Sequence, residues 1–256
     1  RINLEKELAH WNFDRVKEDA FAEWNRELGK ITVEGGSEEE KIKFYTDLWH
    51  SLLGRHTFSD FNGKYIDNTG EEPVVRQVPL DNGTPTRNTY NSDAFWGSEF
   101  NLNILWLIAY PKVMREFVST LVDYYTNGGM IARGPSGGNY TYVMVGDQAT
   151  PLIAAAYNKG IRDFDIESAY QGCLKNSEPG GIRDYVGYKT NPGNFMQQYV
   201  DKGFVPEPTT KSPHAEGCAM TLYFAYEDWC MAQFAKGLEK EDVYRKYLQR
   251  SFNYRY

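Results

Sequence analysis

Between residues 4 and 29 the apolar positions Leu4, Leu8, Trp11, Ala20, Trp24 and Leu28 recur at three- and four-residue spacing with charges between them. That is the pattern of an amphipathic helix. Gly35-Gly36 then breaks the chain. Ser37-Glu38-Glu39-Glu40 has the capping-box form, and Ile42, Tyr45, Trp49 and Leu52 follow on one face until Gly54, which predicts a second helix. From His56 to Tyr90 the period is lost. Asn62-Gly63 reads as a hairpin-type turn, "PVVRQVP" as a short extended piece and "DNGTPT" as loop, so the stretch of about 56–90 is an insertion with some strand.

Helical patterning returns from about Phe95 to Ala109, where Pro111 ends the element. Val113, Phe117, Val118, Leu121 and Tyr125 make the next, closed by Gly128-Gly129, and the pair is expected to form an antiparallel helical hairpin. After a glycine-rich crossing over 128–146, Thr150-Pro151 has the form of an N-cap and first-turn proline, opening a helix that stops at Gly160. Asp165 caps another running to about Lys175. A short helix near 195–202, a strongly apolar one over 215–236 and a last one over 241–251 complete the chain.

The helix of 215–236 is apolar nearly all round, so it belongs inside a larger structure. Its neighbours on both sides read as amphipathic. Alternation of fully and half-buried helices predicts a mainly α fold of the double-layered toroid kind better than a four-helix bundle. About seven or eight helical segments are legible, which leaves the ring incomplete. No 20- to 50-residue repeat marks a regular solenoid.

At 256 residues, with 41% hydrophobic and 15% aromatic positions, the chain has ample material for a sizeable core. The net charge of −7 comes with dispersed Lys and Arg and no basic stripe, which argues against nucleic acid as a partner. No apolar run approaches the roughly 20 residues of a membrane helix. The chain opens at Arg1 with neither an initiator Met nor a secretory leader, and so looks processed or excised. Cys173, Cys218 and Cys230 share no metal-ligand spacing and, being three, form no closed disulfide framework.

Three constellations could carry chemistry. In "SDAFWGSEFNLNILW", residues 92–106, Trp96, Glu99 and Asn103 fall on one stripe of the expected helix, with Phe100 and Trp106 close by. Aromatic faces beside a carboxylate and an amide suit a sugar; the same spacing suits a core tryptophan next to a first-turn acid favoured by the helix dipole. In residues 132–151, Arg133, Asn139, Tyr140, Tyr142 and Asp147 occupy a glycine-rich crossing that lacks the spacing of a phosphate loop. Either Arg133 and Asp147 line a polar pocket at the helix ends, or Asp147 is a cap in a structural loop. Third, Glu227-Asp228 lie in an otherwise apolar helix, where each acid needs a cation, a backbone donor, a ligand or solvent. They point roughly 100° apart, which makes a paired-acid site from these two improbable. His10, His50, His56 and His214 form no ligand pair, and no G-x-S-x-G is present, so nucleophilic acyl chemistry finds no support.

Read together and in order, "FYTDLWHSLLGRHTFSDFNGKYI" (44–66), "GGMIARGPSGGNYTYVMVGDQATPLIAAAYNKGIRDFDIESAY" (128–170) and "FAYEDWCMAQFAKGLEKEDVYRKYLQRSFNY" (224–254) resemble glycoside hydrolase family 92. The resemblance implies an N-terminal β-sandwich, a helical linker and an (α/α)6 toroid for the complete protein. This chain would supply the linker (1–36) and part of the toroid (37–256), with the insertion at about 56–90. It also implies a calcium-dependent, inverting exo-α-mannosidase acting on terminal mannose of glycans, secreted, periplasmic or cell-surface, whose partner for this segment is the rest of the same polypeptide.

The family's acid motif, a glutamate followed by Gly-Asn-Ala-Trp-Gln, and its aspartate-rich base motif are not found in these residues. Both are expected beyond Tyr256, which leaves this chain inactive alone and the calcium ligands outside it. In the commonest family pattern the tryptophan is followed by Asp-Thr, whose aspartate holds the terminal sugar; here Gly97-Ser98 follow Trp96. The substrate-binding candidates are thus Trp96, Glu99, Arg133 and Asp147. Two other readings stay open: a non-catalytic carbohydrate-binding or scaffolding piece, and an unrelated α/α-toroid polysaccharide lyase using a Tyr or His base.

Overall fold

The computed structural model describes residues 2–8, 10–92, 95–187, 192–207 and 216–256. Its first elements depart from the single helix expected over 4–29. The Asn12 side chain accepts from the Arg15 backbone N–H, and this cap starts a new helix, so the segment divides into α1 (Ile2–Glu7) and α2 (Phe13–Leu28). Helix α3 (Glu38–Leu52) opens on the complete capping box: Ser37 Oγ accepts from Glu40 N, and the Glu40 carboxylate accepts from Ser37 N. Trp24 meets Trp49 edge-on at 6.1 Å and ties α2 to α3.

The insertion is built from β1 (His56–Thr57), β2 (Lys64–Asp67), β3 (Val74–Gln77), β4 (Leu80–Asp81), β5 (Thr84–Pro85) and β6 (Tyr90–Asn91). Antiparallel pairing of β1 with β6 closes its base, while β2–β3 and β4–β5 are hairpins. The hairpin signal sits elsewhere than the sequence pattern suggested. Asn62-Gly63 belongs to a turn that leads into β2, closed by Gly63 N donating to Asp60 O. The "DNG" read as loop holds the tight turn, with Asn82 and Gly83 both at positive φ, as a two-residue hairpin turn requires.

Seven further helices follow: α4 (Leu102–Ala109), α5 (Pro111–Gly128), α6 (Ala149–Asn158), α7 (Ile166–Asn176), α8 (Phe195–Lys202), α9 (Gly217–Gly237) and α10 (Glu241–Ser251). The helix expected from Phe95 starts only at Leu102. A left-handed Gly97 and a non-helical Asn101 at φ −149, ψ −56 interrupt it, leaving one 3-10 turn over Ser98–Phe100. Helix α6 likewise starts before Thr150. Asp147 Oδ1 accepts from the Ala149 and Thr150 N–H groups and Oδ2 from the Thr150 hydroxyl, so Asp147 is the cap and Thr150-Pro151 lie in the first turn.

Helix α9, roughly 30 Å long at 1.5 Å per residue, packs against both α6 and α10. Phe224, Met231, Phe234 and Ala235 on it are fully buried, and the main core continues through Trp106, Phe117, Leu121, Leu152, Tyr170 and Tyr247. A second cluster, Phe195, Met196, Tyr199, Val205 and Met220, joins α8 to the first half of α9. Among the described residues the chain is thus mainly α, with the strands in the insertion and at its base and an isolated bridge between Ser136 and Asn139.

One face lacks a partner. Trp96, Phe100, Ile104 and Ile108, at four-residue spacing, are exposed beside Leu222, Tyr226 and Trp229 of α9. Surfaces of this kind associate. The 256-residue chain alone is therefore expected to self-associate in sedimentation velocity, and Ile108→Lys combined with Trp229→Lys to shift it toward monomer; a monodisperse wild-type monomer would contradict this.

Candidate functional site

The two acids of α9 anchor the site. Asp228, fully buried, accepts from Arg183 Nη1 at 2.7 Å, from Arg250 Nε at 2.6 Å and Nη2 at 2.8 Å, and from the Tyr199 hydroxyl at 3.2 Å. Glu227 Oε2 lies 3.1 Å from Arg183 Nε. A single guanidinium, from the 3-10 turn Ile182–Asp184, therefore spans two carboxylates that the helical geometry aims apart. Burial works against the Arg183 charge, but Glu227, Asp228 and Asp147 more than offset it and raise its pKa. Burial also pushes Glu227 up to about 8, against the pull of Arg183.

Glu227 Oε1 accepts from the backbone N–H of Asp147, and this contact shapes the turn before α6. Gly146 there has φ +80, and a Cβ on it would strike Glu227 Oε1 and come within 3.2 Å of the Tyr223 ring. Only glycine allows α9 and the turn to approach so closely. Arg133 holds the same turn from the other side, donating to Gly146 O at 3.1 Å and to Tyr185 O. Burial lowers its pKa to about 10.

Arg133 and Asp147, expected at a polar pocket, lie in the interior of this segment. Both side chains are buried, their polar atoms turned to backbone and to Thr150, so they build the wall behind the site and present no surface to a ligand. Tyr140 is likewise structural, donating to Tyr124 O or Met130 O, and Tyr142 stacks on Tyr185 at 5.0 Å.

Trp96 and Glu99 occupy the front. Trp96 is 43% exposed, its ring centroid 6.0 Å from that of Tyr223 at 37°, and Phe100 pairs with Tyr226 at 6.2 Å and 30°. Glu99 is 8% exposed, and its charge raises the pKa of both Tyr223 and Tyr226 on α9. Its Oε2 has no hydrogen-bond partner among the described residues. Burial raises its pKa, and the nearby Asp147 adds to the rise. It is more than a first-turn acid turned to solvent.

The stripe expected from spacing does not form, because Trp96 lies outside any helix. Asn103 points elsewhere, accepting from Arg55, and Trp106 donates to Ser51 O inside the core. Gly97 sits at φ +78 with nothing within 4 Å of a Cβ. A carboxylate side chain at this position would have to adopt a left-handed backbone that L residues disfavour.

The sequence reading missed Tyr223, Arg183 and Arg250. Tyr223 precedes Tyr226 by three residues on α9, a signal hidden in an apolar run, whereas the two arginines come from separate elements and had no local signature. Of the histidines, His10 lies 3.5 Å from Asp19 and His50 packs on Trp49 at 4.8 Å, while His214 is outside the described residues. Cys173 and Cys230 are buried free thiols and Cys218 is exposed. Among the described residues no three His, Cys, Asp or Glu side chains gather as a cation's ligands. The buried acids Asp147, Glu227 and Asp228 are already engaged, so this segment does not by itself fit calcium.

The family model of the Glycosyl hydrolase family 92 catalytic domain matches residues 1–256. The chain belongs to glycosyl hydrolase family 92. It is similar to a family GH92 inverting mannosidase from Bacteroides thetaiotaomicron VPI-5482, at 27% identity and a TM-score of 0.84, over 99% of this chain and 32% of that one. A second Bacteroides thetaiotaomicron GH92 α-mannosidase, solved in complex with mannoimidazole, matches at 26% identity and a TM-score of 0.81, over 99% and 30%. A protein of Arthroderma benhamiae described as an uncharacterized secreted glycosidase is 24% identical over 267 residues, 98% of this chain. The chain spans 28% of that protein and about a third of each mannosidase. No helix among the described residues is long and apolar enough to cross a membrane.

Two outcomes test the charge network of this family 92 segment. Asp228→Asn leaves Arg183 and Arg250 buried with one carboxylate fewer, and is expected to lower unfolding stability by about 3–5 kcal/mol in urea titrations. For Glu227, the folded pKa of about 8 lies above the ordinary 4.5. As pH rises between those values the unfolded chain releases the proton and the folded chain keeps it, so stability falls across that window and levels off above it. Glu227→Gln is expected to remove that slope, read from unfolding midpoints at pH 5 and pH 8.

Proposed function

We propose that this segment forms the terminal-sugar wall of a family 92 exo-α-mannosidase, with Trp96 stacking on the apolar face of mannose and Glu99 accepting hydrogen bonds from its hydroxyls. The observation that carries the reading is the buried, unpartnered Glu99 Oε2 in the turn whose Trp96 and Phe100 rings face Tyr223 and Tyr226. A buried acceptor without a donor costs about 1–3 kcal/mol, and a sugar hydroxyl would supply the missing donor. The mannosidases that the chain resembles support mannose as that sugar.

In this reading residues 1–36 are the helical linker and 37–256 part of the toroid, with the insertion at about 56–90. The Asn12 break is compatible with a linker made of two helices. The reaction is hydrolysis with inversion, in which a general acid protonates the leaving oxygen and a general base activates water on the opposite face. Both carboxylates, and the ligands of the proposed calcium ion, belong to the part of the polypeptide outside this chain. Calcium would supply Lewis-acid and orienting chemistry at the sugar. The residues here orient the ring and exclude water from its apolar face. The complete protein is expected to act outside the cytoplasm on mannose-containing glycans.

The departure at Gly97 favours one alternative, a carbohydrate-binding piece that has lost hydrolysis. The two are separated by assay. The complete protein is expected to hydrolyse an aryl α-mannoside and to lose activity with a calcium chelator, while this chain alone is inactive; equal hydrolysis by both, or indifference to chelator, would overturn those parts. Loss of one hydrogen bond to an ionised group is worth about 1.5–3 kcal/mol. Glu99→Gln and Trp96→Ala are each expected to lower kcat/KM by roughly ten- to a hundredfold. Binding of mannose without turnover would favour the alternative.

A further inference from the structure

Resting on the reading of Trp96 and Glu99 as a sugar subsite, we propose that Arg55 is the positioning residue of that subsite, clamping both ends of the turn that presents them. Arg55 follows α3 by three residues, and its side chain enters the space between α4, α5 and the 3-10 turn. The guanidinium carbon lies 4.6 Å from the Phe117 ring centroid, 5.1 Å from Trp106 and 5.7 Å from Phe95. Nη1 donates to Met114 Sδ at 3.1 Å, and Nη2 to Ser98 Oγ at 3.5 Å and to Asn103 Oδ1.

The turn itself runs from Phe95 to Ser98. Ser98 N and Oγ both donate to Phe95 O, at 3.2 and 2.7 Å. Phe95 is fully buried, edge-on to Phe117 at 5.3 Å. Arg55 thus touches the residue before the tip and the residue after it. At the tip, a Cβ on Gly97 would meet nothing within 4 Å, Gly97 O accepts from Phe100 N at 3.5 Å, and the Trp96 ring faces Tyr223. Orientation of Trp96, and the direction in which Glu99 leaves the turn, follow from the Arg55 contacts.

Packing alone would not select an arginine here. The side chain is 5% exposed, and among the described residues no carboxylate offsets its burial, which pulls its pKa down to about 9. Arg55 Nε and Asn103 Nδ2 are buried without partners among the described residues. A methionine would fill the same aromatic cage at lower desolvation cost. Ser98 Oγ also lies 3.1 Å from Asn103 Oδ1, so what a methionine would lose is the Nη2 contact that draws on both and the Nη1 contact that ties them to Met114 Sδ.

The test uses the complete polypeptide labelled with 5-fluorotryptophan, the Trp96 resonance being assigned through Trp96→Phe. Arg55→Met is expected to melt close to wild type, to shift or broaden the Trp96 resonance while Trp229 stays in place, and to lower kcat/KM on an aryl α-mannoside about tenfold. In a Trp96→Ala, Glu99→Gln background the same substitution should cost little more, because all three act through one turn. An unmoved Trp96 resonance, or a full additive loss in that background, would overturn the positioning role while leaving the subsite intact. Unchanged kcat/KM in Trp96→Ala and Glu99→Gln would instead remove the subsite, and the role of Arg55 with it. Should Arg55→Met fail to fold, Arg55→Lys, which keeps the charge without the fork, is read by the same resonance and the same cycle.

Discussion

A single buried guanidinium, Arg183, sets the geometry of the molecule's second half. It bridges Glu227 and Asp228 on α9, and through Asp228 it shares a carboxylate with Arg250 of α10. Such a cluster gives little net stability when compared with well-packed apolar residues, yet breaking it leaves uncompensated charge in the core. Its effect is to fix register. Helix α9 has apolar residues nearly all round and could slide or rotate among its neighbours with modest loss, whereas one arrangement alone satisfies Arg183, Arg250, Tyr199 and the Asp147 N–H together.

That register is transmitted directly to the candidate site. Glu227 receives the Asp147 N–H, Gly146 lets the turn close onto Tyr223, and Tyr223 faces Trp96. On the opposite side Arg55 holds the turn bearing Trp96 and Glu99. The site is therefore framed between two buried arginines: one anchored by two acids, the other seated among aromatic rings. Arg133 and Asp147 belong to this frame, which is why they combine strongly polar chemistry with complete burial.

The elements with a strong local signal were legible in the sequence. The capping box at Ser37, the Asp165 cap, the strand of Val74–Gln77 and the apolar α9 all stand where periodicity and capping chemistry place them. The failures share a cause. A helix over 95–109 and a stripe of Trp96, Glu99 and Asn103 followed from spacing, but Gly97 in the left-handed region, together with the non-helical Asn101, overrides spacing, and Asn103 turns to Arg55. Asn12 and Asn82-Gly83 were misjudged because caps and tight turns depend on a single side chain or φ value that a periodic pattern does not register. Arg183 and Arg250 were out of reach altogether. Their partners lie 45 and 22 residues away, and only the requirement that Glu227 and Asp228 find cations pointed toward them.

Glu99 presents a different balance from the acids of α9. Those acids meet their donors within the chain, whereas Glu99 is desolvated by its neighbours and leaves an oxygen unpaired beside open aromatic faces. Folding alone would favour filling that acceptor or exposing it to water. Two ring pairs, Trp96 with Tyr223 and Phe100 with Tyr226, flank the sequence position of that acid and present apolar faces near an acceptor. A pyranose offers the matching pattern, apolar C–H faces and hydroxyl donors at its edge. In the proposed subsite the turn carries Gly97, and the carboxylate comes from Glu99, two residues further along. The position of that acceptor, and with it the orientation of a sugar in the proposed subsite, therefore follows from how the turn meets α9 through Trp96 and Tyr223.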